Sequence, residues 1–170
     1  FLLLLPIGIF AQSDEPVAIL EYYEDDWELE IYDADDFLVE DIYYGMEMLP
    51  GDKIKTYETI AEIRLDPNGS IIKLARNTSF KIDAFQAVDG AGSNDFSLIS
   101  GKLRTVASNV GGSKYKIKSP TAVCGVRGTD FGMQFDAAAG IDAVLVKSGA
   151  VEFAKNTGES LMLGAGQFAN

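Results

Sequence analysis

The side chains that could carry chemistry in this 170-residue chain are carboxylates, lysines and a single thiol, for histidine is absent. That absence removes Ser-His-Asp and Cys-His catalysis, histidine-ligated zinc and any imidazole acid or base working near neutral pH. One cysteine, Cys124, allows no intramolecular disulfide and no cysteine-built zinc or iron–sulfur site. It stands in the small apolar run Ala122-Val123-Cys124-Gly125-Val126, the setting of a buried, inert thiol rather than a nucleophile. Gly90-Ala91-Gly92 and Gly164-Ala165-Gly166 lack the third glycine and following helix of a dinucleotide site, and there is no Gly-x-Ser-x-Gly elbow. Paired carboxylates can hydrolyse a glycoside, but in so acidic a chain any two can fall together without purpose. We therefore expect no catalytic residue, no cofactor and no enzymatic activity.

Two smaller constellations have a shape that chemistry could use. Asp33-Ala34-Asp35-Asp36 opens like a calcium loop, with oxygen ligands at alternate positions. The match then fails, because Phe37 stands where a ligand is needed and Leu38 where the loop needs glycine, so a solvated turn is expected and no metal. Lys114, Lys116 and Lys118 fall at every second position, which on a strand puts three ammonium groups on one face and Tyr115 and Ile117 on the other. Such a row is a solvated strand edge that discourages stray pairing, or else an anion site or a dock for an acidic segment. Asp33, Asp35, Asp36 and the three lysines are the candidate interaction residues.

Charge and hydropathy then divide the chain. Residues 1 to 50 hold fourteen of the 26 acids and none of the 14 bases, a charge of −14, which leaves +2 for residues 51 to 170. Phosphate backbones and anionic membrane surfaces would be repelled by that front, so nucleic acid is not an expected partner. Phe1 to Ala11, FLLLLPIGIFA, resembles the hydrophobic part and small-residue exit of a secretory signal peptide. It is shorter than the ~20 apolar residues of a membrane span, although the end of a span truncated before Phe1 is the alternative. Either version exports the remainder, and contact with a membrane is expected only through such an anchor. The reading in three parts is a signal-like remnant over residues 1–11, an acidic, strand-rich portion over 12–44 and the main domain over 45–170.

The elements that must position these residues are strands. Trp27, Leu29 and Ile31 alternate with polar neighbours, as do Ala61, Ile63 and Leu65, and the period-2 pattern returns at Phe80, Phe96, Tyr115, Phe131, Val144, Val151 and Leu161. Pro67-Asn68-Gly69-Ser70 supplies a hairpin turn between two such runs. Helix is expected only at the amino end or briefly near Asp89–Asn94. With 47% hydrophobic and 24% charged residues, the composition is that of an ordinary globular protein. The expected fold is all-β: a short-stranded β-solenoid-like domain, a β-roll or a sandwich.

One stretch is more specific than any of this: Ser119-Pro120-Thr121-Ala122-Val123-Cys124-Gly125-Val126-Arg127-Gly128-Thr129-Asp130-Phe131. On the residues alone it reads as a structural corner. Gly125 and Gly128 allow close backbone approach or positive φ, Arg127 offers a planar donor head to neighbouring carbonyls or a carboxylate, and Thr129 can satisfy a turn amide. The stretch resembles the signature of the FecR domain, in which a Ser-Pro or Thr-Pro step runs into Val-Arg-Gly-Thr-Asp/Glu-Phe. Leu49 to Thr56, the hairpin from Ala61 to Ile82, Val144 to Val151 and Leu163 to Gln167 resemble the remainder of that pattern in order, over roughly residues 45 to 168. The family motif residues are thus Gly125, Val126, Arg127, Gly128, Thr129 and Phe131. The resemblance implies a mostly β domain on the outer side of a bacterial envelope, periplasmic or extracellular, that recognises a protein or envelope polymer. The best-known relatives are single-span regulators with an anti-sigma segment inside the cell, serving iron uptake; this chain shows no such segment.

Overall fold

The computed structural model describes residues 17–85, 93–109 and 114–170. The signal-like residues 1–11 and most of the glycine-rich stretch at 89–94 lie outside the described residues. Among the described residues there is no α-helix, only a single 3-10 turn over Asp26–Glu28, and the architecture is all-β.

The early strands are β1 (Val17–Tyr23), β2 (Leu29–Tyr32), β3 (Met46–Met48), β4 (Lys53–Thr56), β5 (Ala61–Asp66), β6 (Ser70–Leu74) and β7 (Thr78–Ala84). They are followed by β8 (Asn94–Val106), β9 (Tyr115–Lys118), β10 (Ala122–Val126), β11 (Asp130–Asp136), β12 (Ile141–Ser148), β13 (Ala150–Lys155), β14 (Ser160–Gly164) and β15 (Phe168–Ala169). All belong to one hydrogen-bonded network that does not close. Every pairing is antiparallel except β8 with β9.

The thirteen-residue β8 divides the network into two limbs. Its first half pairs with β7 and β9, and its second half with β6 and β11. One limb therefore runs β3-β1-β5-β6-β8-β11-β12-β15. The other runs β2-β4-β7-β8-β9-β10-β13-β14. The bend is at Gly101, whose φ of +93 suits glycine and whose missing Cβ would lie 2.5 Å from the Asn77 carbonyl oxygen.

Alternating burial along each strand supplies the core. Ile63, Ile72 and Phe131 come from one limb and Ile54, Phe80, Phe96 and Ile117 from the other, and all join one apolar cluster. Phe80 and Phe96 stack with ring centroids 5.6 Å apart. A buried hydrogen bond between the Ser70 and Tyr115 hydroxyls ties the limbs together. Antiparallel pairing with one strand shared between two layers gives a sandwich-like form.

The hairpin expected at residues 61–74 is present: Asn68 Oδ1 accepts the Ser70 N–H at 2.9 Å, and Gly69 takes φ +72. Trp27 departs from the alternation. Asp25 Oδ1 accepts the Trp27 N–H at 3.0 Å, which caps the 3-10 turn before β2 begins and leaves the indole 90% exposed. The acidic segment is also less strand-rich than expected, since residues 33–45 are mainly turns and irregular backbone. They lie along the sandwich edge with Val39 and Ile42 packed against the core.

Candidate recognition surface

The motif strands meet at a corner between the limbs. β10 ends at Val126, the chain turns through Gly128 at φ +64, and β11 starts at Asp130 in the opposite limb. Thr129 is buried at the turn, and its Oγ1 donates to the Ala150 carbonyl at 2.9 Å, with the Arg127 carbonyl 3.4 Å away. Ala150 starts β13, just after a second limb-to-limb corner at Gly149 (φ +84). A Cβ on Gly149 would fall 2.8 Å from Thr129 Oγ1, so these two corners interlock only because that residue has none. Val126 and Phe131 are buried on either side.

Arg127 does not supply the tie. Its side chain is exposed, and its hydrogen bond runs from Nε to Asn109 Oδ1 at 3.2 Å. Gly125 lies within β10 opposite Lys116 and Glu152, and a Cβ there would meet only ordinary contacts at 3.9 Å. The strong charge contact of the motif belongs to Asp130. Arg104 donates to both its oxygens at 2.8 Å and Lys147 lies 3.5 Å away, which holds this carboxyl below the usual range. These three line an open depression of about 460 Å³ together with Gly132 and Leu145.

Lys116 and Lys118 project from the outer face of β9 while Tyr115 and Ile117 are buried, as the spacing requires. The strand is central rather than an edge, lying between β8 and β10. Lys116 lies 3.8 Å from Asp95, and Lys118 lies 3.8 Å from Asp83. Lys114 precedes the strand and is exposed. The lysine row is thus part of a mixed-charge face.

Asp33, Asp35 and Asp36 form a turn. Asp33 Oδ1 accepts the N–H groups of Asp35 and Phe37, both at 2.9 Å, while Asp36 takes φ +67 and pairs with Lys53. The Lys53 ammonium holds the Asp36 carboxyl below its ordinary range. Among the described residues no three His, Cys, Asp or Glu side chains converge as metal ligands. Cys124 is fully buried, and desolvation together with the nearby Asp142 carboxylate pushes its thiol up to about 12.

The feature that alternation alone did not reveal is the exposed aromatic front. Among the described residues, eight of the fifteen exposed large apolar side chains fall within residues 22–57, including Tyr22, Trp27, Phe37, Tyr43, Tyr44 and Tyr57. Carboxylates of the acidic segment surround them. Glu30 accepts hydrogen bonds from the Tyr32 and Tyr57 hydroxyls at 2.7 and 2.8 Å, which lower its pKa and raise theirs. Tyr44 stacks on Tyr23 at 4.4 Å. The unusual density of aromatic residues among the acids was the available signal.

The sequence matches the family described as FecR protein over residues 52–152. The chain belongs to the FecR family. No curated protein matches it. Among solved structures, this FecR domain is similar to a candidate anti-sigma factor from Parabacteroides distasonis ATCC 8503, with a TM-score of 0.57 and 16% identity, covering 69% of this chain and 57% of that one. A second structure of an anti-sigma candidate from the same organism gives a TM-score of 0.50 and 17% identity, over 61% of this chain and 51% of that one. The FecR domain thus spans little more than half of each neighbour's length. Its family match includes the Thr129 corner and the lysine row but starts at Asp52, which leaves all of the aromatic front except Tyr57 outside it.

Proposed function

We propose that this FecR protein is a non-enzymatic, exported recognition module that binds a protein or envelope polymer through its acidic, aromatic front. The observation that carries the reading is Trp27, 90% exposed within Asp25-Asp26-Trp27-Glu28. Exposed aromatic side chains of this size mark interaction surfaces and dominate their energetics. The surrounding carboxylates suit a partner of positive or hydroxyl-rich character. The signal-like Phe1–Ala11 supports export to a bacterial periplasm or cell surface.

Deleting the front would not test this cleanly, because β1 lies between β3 and β5 and its removal would open the sheet. Substitutions of exposed side chains are cleaner. Trp27→Ala combined with Phe37→Ala should leave the thermal melt unchanged and abolish saturable capture of the partner from envelope extracts. Equal capture by variant and native protein would refute the front as the site. An absence of saturable capture by either would refute the recognition reading.

A second reading is favoured by the fold likeness to anti-sigma candidates: the chain is the outer portion of a membrane-anchored regulator of a sigma factor. Its test is transcription from sigma-dependent promoters when the chromosomal copy carries the same two substitutions. Unaltered transcription on inducing and non-inducing media would reject it.

A further inference from the structure

The two ends of the sandwich differ in how their edges are protected. At the front, β2 is partly covered by a bridge between Tyr32 and Leu38 and by the Val39 N–H donating to the Ile31 carbonyl at 2.9 Å, and β3 carries Glu47. At the other end β14 reads Ser160-Leu161-Met162-Leu163-Gly164, without charge or proline, and among the described residues it pairs with β13 alone. Charge, proline or a cover are the usual means by which an edge strand avoids pairing with another chain. Among the described residues, β14 has none of them.

In an antiparallel ladder alternate residues direct both backbone groups to one neighbour and the rest direct theirs to the free side. The Lys155 N–H donates to the Glu159 carbonyl at 2.8 Å, so in the register Phe153↔Leu161 and Val151↔Leu163 the two leucines bond to β13. Ser160, Met162 and Gly164 then face outwards. Gly164 is already engaged: its N–H donates to Gln167 Oε1 at 2.6 Å and its carbonyl accepts the Gln167 N–H at 3.1 Å. Ser160 and Met162 remain, with two donors and two acceptors.

We infer that two copies of this chain pair antiparallel through β14 about a two-fold axis at Leu161. In that register Ser160 of each copy faces Met162 of the other, and all four outward groups are satisfied. Leu161, 52% exposed in one copy, comes opposite its twin. An axis at Met162 would instead set Ser160 against Gly164, whose groups Gln167 holds. Charge directs self-pairing to this end of the molecule, because the −14 of residues 1 to 50 opposes any contact between fronts. The fronts lie at the far end of each eight-strand limb, tens of ångströms away at ~4.8 Å per strand, well beyond a Debye length of ~8 Å at physiological salt. A five-residue edge buries less than the ~800 Å² per partner of a stable interface, so the dimer is weak and concentration-dependent.

Leu161→Cys gives a direct test. Across a two-fold axis a non-hydrogen-bonded pair has Cα atoms ~4.5 Å apart, within disulfide range, so mild oxidation should yield a covalent dimer. Met162→Cys, displaced from its twin, should yield little. Cys124 is buried and does not compete. In sedimentation equilibrium the native chain should show a monomer–dimer equilibrium that Leu161→Lys abolishes with an unchanged circular dichroism spectrum. A native chain that stays monomeric, a dimer that survives Leu161→Lys, or equal cross-linking at both cysteine positions would overturn the inference.

Discussion

Replacing Thr129 by Val tests whether the motif is a structural corner. The substitution keeps the side-chain volume and removes the hydroxyl that donates to the Ala150 carbonyl at 2.9 Å inside the corner. Ala150 is exposed and the bond only part-buried, so its loss costs about 0.5–1.5 kcal/mol. For a chain of this length each kcal/mol shifts the melting temperature by roughly 2–4 °C, so Thr129→Val should lower Tm by about 1–6 °C. Thr129→Ser keeps the donor and should fall by less. Arg127→Ala removes one exposed hydrogen bond, to Asn109 at 3.2 Å, and should stay within about 0.5 kcal/mol. Differential scanning calorimetry of the four proteins decides the matter. An Arg127→Ala melt as depressed as that of Thr129→Val would refute the assignment of the tie to the threonine hydroxyl.

Three further outcomes follow from the geometry. Gly101→Ala places a Cβ 2.5 Å from the Asn77 carbonyl at a φ of +93 and should destabilise by about 2–6 kcal/mol, whereas Gly69→Ala, with nothing within 4 Å, should cost only about 1–2 kcal/mol; similar melts for the two would contradict the bend. Asp52 is buried, which raises its carboxyl above the ordinary range against the Leu49 N–H it accepts. Its folded pKa is the higher one, so its contribution is full below the unfolded pKa and is lost as pH rises through the folded pKa. Asp52→Asn should accordingly gain in Tm over the native chain from pH ~3 to pH ~7, and a gain that shrinks over that range would refute the sign. Cys124, with its thiol at about 12, should react with an aromatic disulfide no faster than the domain unfolds, and prompt labelling of native protein would show that the core is open.

Period-2 hydropathy carried most of the fold, because half-buried strands leave that mark whatever their order: Ile63, Phe80, Phe131 and Val151 all face the core as the alternation requires. Strand neighbours leave no such mark. The lysines at 114, 116 and 118 read as an edge because nothing in their spacing shows that β9 sits between β8 and β10, or that Asp83 and Asp95 would lie beside them. Trp27 continues the phase of Leu29 and Ile31, which by alternation alone sets it on the inner face. The competing signal was the Asp25-Asp26 pair, since an Asp ahead of a short turn satisfies its amides and resets the phase. At the motif corner Arg127 offers the larger donor count, yet the tie is made by Thr129, because Thr129 is buried with its hydroxyl on the Ala150 carbonyl while the Arg127 side chain is exposed and reaches Asn109.

Ionic strength offers a way to separate the two surfaces of the molecule. The front acts through carboxylates around exposed rings, so its attraction for a cationic partner is screened as the Debye length falls from ~10 Å at 0.1 M salt to ~3 Å at 1 M. β14 carries no charge, and pairing there exchanges backbone hydrogen bonds and leucine contact that salt leaves largely unchanged. Raising salt should therefore weaken capture of the partner while leaving the dimer intact, or slightly tighter as repulsion between the two acidic chains is screened. Sedimentation and capture measured across one salt series would show the two responses side by side. If both fell together, the dimer would depend on the acidic front, and the assignment of self-pairing to the uncharged edge would fail.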